Sequence, residues 1–201
     1  MNIWQISAVL LAAYLLGAIP FGVIAAKICG VDIFKVGSGS IGTTNVIRAC
    51  GKWWGLTVFI LDVTKGAIAV KLGMLFLHDP WLVVACGALA LIGHSASVFI
   101  KFRGGKSAAS GLGILLMLGG WQLFLGAAIL TLFVRQASGY QSVASLLSGL
   151  VTAVLFFVLP YPLAYRIFAL AAVAFIWIKH IPNIKRLFNG TETKITGRKN
   201  G

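Results

Sequence analysis

The chain has 201 residues, of which 59% are hydrophobic and only 10% charged, with a mean hydropathy of +0.97. A soluble domain carries about 25% charged residues, so the composition excludes that class and points to a polytopic membrane protein. Seventeen Lys and Arg against four Asp and Glu give a net charge of +13, which in a membrane protein speaks for an anchored inner face and anionic substrates rather than nucleic acid.

Residues 3 to 26 form the first predicted span, which Pro20 is expected to bend. No Lys or Arg precedes Lys27, so the run lacks the basic start of a cleavable signal peptide and is expected to be retained. Then comes GSGSIGTTNVIR, from Gly37 to Arg48. Its glycines free the backbone to curl so that successive N–H groups point into one hollow. Ser38, Ser40, Thr43, Thr44 and Asn45 add neutral donors, and Arg48 adds a planar fork suited to phosphate. A helix starting near Thr44 would aim its first N–H groups the same way. A plain Gly/Ser linker between two apolar segments has no need of so many donors. The stretch reads as a phosphate cradle at a membrane surface, with Gly39 and Gly42 part of its donor backbone.

Residues 53 to 77 are the second predicted span. Asp62 and Lys65 lie three apart within it and share a face. Each would cost about 2.5–3.5 kcal/mol at a helix centre, so they are expected to pair. A buried pair that holds helices together is the preferred reading over the floor of a site. His78 to Pro80 make a turn, and residues 81 to 100 are the third span. It ends in GHSASVFIKFRGGKSAAS, from Gly93 to Ser110. Gly104, Gly105 and Lys106 put bare backbone beside an ammonium, with a helix opening at Ser107. This is not a Walker A loop, because Ile100 stands where its first glycine is required. His94 lacks the Asp five residues on that an HxxxxD acyltransferase needs, Phe99 being there instead, so its role is structural.

At ~27 residues the apolar run from 108 to 134 is long for one span, and Gly119, Gly120 and Trp121 predict a break into two short helices. The polar loop 135 to 142 follows, and Ser138, Ser142 and Ser145 bring hydroxyls to this third cytoplasmic segment. Residues 143 to 159 are the sixth span, Pro160 to Pro162 a turn, and 163 to 178 the seventh. His180 and Asn183, at i and i+3, can face one target, and Arg186 extends that stripe. Residues 1 to 192 read as a single integral-membrane domain, and the basic tail 193 to 201 as disordered.

The reading is therefore an all-α transmembrane bundle of about seven spans. It places 27–52, 101–106, 135–142 and 179–201 on one side, with 14 of the 17 Lys and Arg. That bias predicts an outside N-terminus and a cytoplasmic C-terminus. An unbroken helix over 108–134 would give five or six spans and move the last two motifs across the membrane, against the charge count. Cys29, Cys50 and Cys86 form no spacing motif, so neither disulfides nor a zinc site is expected.

Together the motifs resemble the PlsY-type acyl-phosphate:glycerol-3-phosphate acyltransferases of bacteria, from the first span to Glu192. That family's GSGNxGATNxxR is matched with Ser40 and Thr43 as departures. DVTKG at 62 to 66 matches its acidic-and-lysine segment. GHxxxxFxxFKGGKG is matched with Arg103 for lysine and Ser107 for the last glycine, which puts a side chain where the family has none. HIPNIKRLFNGTE matches HxxNIxRLxxGxE. The resemblance implies a plasma-membrane enzyme of seven helices with its motifs facing the cytoplasm, acting on glycerol 3-phosphate and a fatty acyl phosphate. It assigns Ser38 and Arg48, Lys106, and His180 and Asn183 to the reaction, with Glu192 in the third motif. Gly39, Ser40, Gly42, Thr44, Asn45, Gly104, Gly105, Ser142 and Ser145 are expected to bind substrate. Asp62, Lys65, His94 and Glu192 are expected to support them. No cofactor, no metal and no nucleic acid is expected, and the protein is expected to act as a monomer among membrane lipids. Without a Ser-His-Asp order or a cysteine nucleophile, direct transfer is expected. A small anion transporter or channel would use the same cradle, but no inverted repeat relates the two halves. A purely structural subunit would leave the donor-rich loops unexplained.

Overall fold

The computed structural model describes residues 2 to 195; residues 196 to 201 of the expected tail lie outside them. Among the described residues the chain is helical, without strands: α1 (Ile3–Ala18), α2 (Phe21–Ile28), α3 (Thr43–Cys50), α4 (Lys52–Phe76), α5 (Pro80–Ser95), α6 (Ala108–Ser138), α7 (Gln141–Val158) and α8 (Leu163–Phe188). Two 3-10 turns, Ile33–Lys35 and Val98–Ile100, interrupt the loops. Five stretches are long and apolar enough to cross a membrane: Ile3–Ile28, Pro80–Ile100, Ala108–Ser138, Gln141–Val158 and Leu163–Phe188. The 25-residue α4, which carries Lys52, Asp62, Lys65 and Lys71, is not among them.

Local chemistry sets the helix ends. Asn2 and Gln5 form a capping box at the start of α1, satisfying two orphan donors reciprocally. At Pro20 the helix ends and restarts, rather than bending as expected, because proline has no N–H and disfavours helical geometry in the residue before it. The freed carbonyls find side-chain donors: Ser97 Oγ donates to Ala18 O at 2.6 Å, and Lys65 Nζ to Ile19 O at 2.8 Å. Asp79 caps α5 by accepting from the N–H groups of Trp81 and Leu82, with Pro80 in the first turn where no N–H is needed. The helix of the third predicted span stops at Ser95, five residues early, since Ala96 and Ser97 leave helical geometry to start the loop. The last helix instead runs ten residues past its predicted span, to Phe188, with Pro182 inside it.

The predicted break in α6 is present. Gly120 has φ 80° and ψ 173°, which only glycine adopts without strain. Tyr161, in the turn between α7 and α8, donates its hydroxyl to Gly119 O at 2.8 Å. Lys106 and Ala108, where α6 begins, and Arg135, near its end, line the same cavity. The two limbs of α6 thus run out and back. The first limb packs on α4 through backbone contact: a Cβ at Gly113 would meet Val63 O, and one at Gly66 would meet Ser110 O. Small residues at such crossings let helices approach where no hydrophobic drive separates lipid from protein. The apolar core joins α4, α5, α6, α7 and α8 around Val70, Leu91, Ile114, Leu118 and Phe156.

Candidate active site

Asn45, 2% exposed, is the hub of the first glycine loop. Its Oδ1 accepts from Ser38 N at 3.1 Å, and its Nδ2 donates to Val36 O and Ser40 O at 2.9 Å and to Ile33 O at 3.2 Å. A side chain so engaged shapes the cradle instead of reaching a ligand. Gly37 and Gly39 take φ of 57° and 64°, and a Cβ on Gly37 would strike Asn45 Oδ1. The result presents Ser38, Ser40 and Gly42 to a cavity of about 1050 Å³. Gly42 caps α3 without a side-chain hydrogen bond, so the N–H groups of Thr43 and Thr44 open the helix toward the same space. The Oγ1 of Thr43 is buried there without a partner.

The second loop is locked from below. Gly105 N donates to His94 O at 3.1 Å, Ser95 Oγ to Gly105 O at 2.9 Å, and Ser107 Oγ to Leu91 O at 2.8 Å. A Cβ on Gly104 would meet His94 O, and one on Gly105 would meet His94 Nε2. Neither glycine lines the cavity, and both let the backbone lie against His94. Ser107 takes φ 63° and ψ 9°, the left-handed geometry that glycine adopts freely. Its hydroxyl, 2.8 Å from both Leu91 O and Ser95 Oγ, holds it there. Lys106 projects into the cavity. Burial pulls its pKa down to about 8; Glu192 opposes this, and Arg186 and Arg48 add to it.

At the end of α8, His180 Nδ1 lies 2.8 Å from Ile176 O. A carbonyl only accepts, so Nδ1 carries the proton and neutral Nε2 is left as an acceptor. Asn183 Nδ2 donates to Glu192 Oε1 at 2.6 Å, and its buried Oδ1 has no partner. Glu192 also accepts from Ser142 Oγ at 3.0 Å and from Arg186 Nε at 2.7 Å. Burial works against its charge, but the donors Asn183, Arg186 and Ser142 outweigh it and hold the carboxyl below its usual range. Thr193 to Ile195, at the start of the tail, cross the mouth. Arg48 Nη2 donates to Thr193 O at 3.3 Å, and Ile195 N to Gly139 O at 2.9 Å.

Of the residues singled out from sequence, Ser38, Ser40, Gly42, Thr44, Asn45 and Arg48 line the one cavity with Lys106, Ser142, Ser145, His180, Asn183 and Glu192. Asp62 and His94 reach its wall, while Gly39, Gly104, Gly105 and Lys65 stand behind it. Lys65 Nζ is 2.8 Å from Asp62 Oδ1. That contact is ionic, since the oxygen receives no hydrogen bond of good geometry. Thr43, read from sequence as one of the cradle's donors, also lines the cavity, as do Arg135, Gln141, Thr131, Ser148 and Thr152, to which sequence reasoning gave no role. The overlooked signal was periodicity: Thr131 and Arg135 are four apart on one face, as are Gln141 and Ser145, then Ser148 and Thr152.

The glycerol-3-phosphate acyltransferase family model matches residues 7 to 190. The chain belongs to this family of enzymes. A glycerol-3-phosphate acyltransferase of Trichormus variabilis is 40% identical, over 97% of this chain and 95% of its own length. One of Thermus thermophilus is 42% identical, over 94% of each. The crystal structure of PlsY (YgiH), an integral membrane glycerol 3-phosphate acyltransferase, superposes in its glycerol 3-phosphate form with a TM-score of 0.89, at 36% identity over 94% of both chains. The lysophosphatidic acid form gives 0.87. The cavity described here is therefore that of an integral membrane acyltransferase.

Ser107 is the departure with a measurable consequence. Left-handed geometry costs a residue with a Cβ roughly 1–2 kcal/mol, and the buried hydroxyl returns about 1 kcal/mol. Ser107→Gly should therefore melt within about 1 kcal/mol of the parent, while Ser107→Ala keeps the strain, loses the bonds and should fall by about 1–2 kcal/mol. Thermal unfolding of both variants in detergent checks this, and an alanine variant as stable as the parent would contradict it.

Proposed function

We propose that this enzyme transfers a fatty acyl group from acyl phosphate to the 1-hydroxyl of sn-glycerol 3-phosphate, releasing phosphate and 1-acyl-glycerol 3-phosphate. The observation that carries the reading is one cavity with two characters. Its mouth offers Arg48, Lys106 and the open N-terminus of α3, and its depth is walled by Leu112, Leu115, Leu118, Phe156, Phe168 and Val173. Anionic heads suit the first part and a long chain the second. Glycerol 3-phosphate and lysophosphatidic acid, the ligands of the PlsY structures, fit the same division.

Chemistry then rests on positioning and charge. His180 Nε2 and Asn183 Oδ1, both acceptors, orient the glycerol hydroxyls. The attacking oxygen bonds to the acyl carbonyl carbon, the bond from that carbon to the phosphate oxygen breaks, and phosphate leaves with its electron pair. Lys106 and Arg48 stabilise the phosphate charges. The hydroxyl proton passes to a substrate phosphate oxygen, because the carboxylates at hand are engaged: Glu192 by three donors and Asp62 by Lys65. Transfer is direct, without an acyl-enzyme. The donor is acyl phosphate rather than acyl-CoA, since the short loops among the described residues offer no soluble headpiece for a nucleotide.

In this reading the membrane is the bacterial plasma membrane and the mouth faces the cytoplasm. Seven spans arise from α1 with α2, α4, α5, the two limbs of α6, α7 and α8. With Cys29, Cys50 and Cys86 removed, a cysteine at His78 should label from outside intact cells and one at Asn189 should not; the opposite pattern sinks this topology.

The activity is checked by giving purified protein palmitoyl phosphate and glycerol 3-phosphate. Lysophosphatidic acid and phosphate should form in equal amounts, and comparable efficiency with palmitoyl-CoA would refute the donor assignment. The titration of Lys106 sets a further expectation. Its ammonium is charged below about pH 8 and neutral above, so kcat/KM for glycerol 3-phosphate should fall about tenfold per pH unit beyond that point. Lys106→Arg should remove this fall. A flat wild-type profile between about pH 7 and about pH 9.5 would exclude Lys106 as a phosphate holder.

A further inference from the structure

The tail that follows α8 is fastened along one rim of the cavity. It turns at Gly190, whose φ is 67°, and Thr191 N and Glu192 N both donate to Arg186 O, at 2.8 and 3.1 Å. Glu192 is then gripped by Ser142, Asn183 and Arg186. A little further on, Ile195 N donates to Gly139 O at 2.9 Å. Between these two pins Thr193 and Lys194 are exposed. The Lys194 ammonium lies 5.8 Å from the centre of the Tyr140 ring, and Thr193 turns its carbonyl to Arg48.

That last contact stands alone. Arg48 Nη2 donates to Thr193 O at 3.3 Å, and among the described residues no other hydrogen bond or ion pair joins α3 to the tail or to α6, α7 and α8. One bond thus links the two sides of the mouth, and the arginine that makes it is the one read above as a phosphate holder. The bond is long for its type and exposed to water, so it is weakly held. A phosphate offers the same guanidinium opposite charge and two parallel bonds, which a single neutral carbonyl cannot. A phosphate that reaches Arg48 therefore displaces Thr193 O.

We propose that the Arg48–Thr193 bond is a latch: the empty enzyme holds its tail across the mouth through Arg48, and the phosphate of glycerol 3-phosphate releases the tail by taking the same nitrogen. This rests on the reading of Arg48 as a phosphate holder. The tail carbonyl and the substrate phosphate then compete for one guanidinium, so the latched state lowers the apparent affinity for the substrate. Loosening the tail should tighten binding. A tail that instead closed over a bound ligand would give the opposite sign, because loosening it would let the ligand escape.

The test is calorimetric titration of glycerol 3-phosphate into purified full-length protein in detergent, without an acyl donor. Ile195→Pro removes the N–H that pins the tail to Gly139, and a Gly-Gly insertion between Glu192 and Thr193 slackens the same span by another route. Each should lower the Kd for glycerol 3-phosphate roughly two- to tenfold, the worth of one hydrogen bond. Ile195→Ala keeps the N–H and should bind within about twofold of the parent. If the proline variant does not fold, the insertion carries the comparison. An unchanged Kd in the loosened variants would overturn the latch, and so would a raised one, which would make the tail a lid over bound ligand. Arg48→Gln keeps the two readings apart. Parental affinity in that variant, or no binding by the parent, would sink Arg48 as a phosphate holder and the latch with it. Weakened binding in Arg48→Gln beside unaltered loosened variants would sink the latch alone.

Discussion

Lys65 and Asp62 lie 2.8 Å apart in α4, 3% and 2% exposed, and the packing around the cavity depends on keeping both satisfied. Burying either charge alone would be severe, since removing one partner of such a pair typically costs about 3–5 kcal/mol. Four elements share the task. The break at Pro20 frees Ile19 O for Lys65, α4 supplies both charges, α5 brings His94 Nδ1 to 3.5 Å from Asp62 Oδ1, and α6 brings Ser110 Oγ to the same nitrogen. His94 in turn lies under Gly105 and accepts its N–H. The ion pair, the histidine and the glycine loop that presents Lys106 thus form one stack.

The mouth has its own electrostatic constraint. Arg48, Lys52, Lys106, Arg135 and Arg186 all line it, and among the described residues Glu192 is the single carboxylate at that level. An excess of cations would repel itself in an empty cavity, and the structure tempers it in two ways. Glu192 draws Arg186, Asn183 and Ser142 together and so joins α7 to α8. Burial lowers the basicity of Lys106, so its positive charge is held less firmly than that of a solvated lysine. Two phosphate-bearing molecules entering this space would meet an environment already arranged for negative charge, without reorganisation at the moment of reaction.

Ser107 illustrates how a loop retains a conformation after losing the residue that favours it. The backbone stays left-handed, and the added hydroxyl joins Leu91 O and Ser95 Oγ in a buried network. The side chain that the family pattern omits is held at the cavity wall, its hydroxyl bonded into the packing of α5.

Much of this was legible in one dimension because the signals are local. Apolar run lengths, Pro20, Asp79-Pro80 and Gly119-Gly120 mark helix ends through backbone sterics and hydrogen-bond supply, which act within a few residues. The three motifs announced themselves by donor density, and Asp62 with Lys65 by the cost of charge in an apolar helix. Tertiary structure decided the rest, because it depends on what comes close from afar. Asn45 was expected to bind substrate, yet its amide is consumed by its own loop. His180 offers an acceptor only because Ile176 O takes the proton on its other nitrogen. Arg135 has an ordinary loop-side arginine's sequence context. It faces the cavity because α6 folds back at Gly120, and a local reading of the chain carries no information about which distant surface a returning helix will meet.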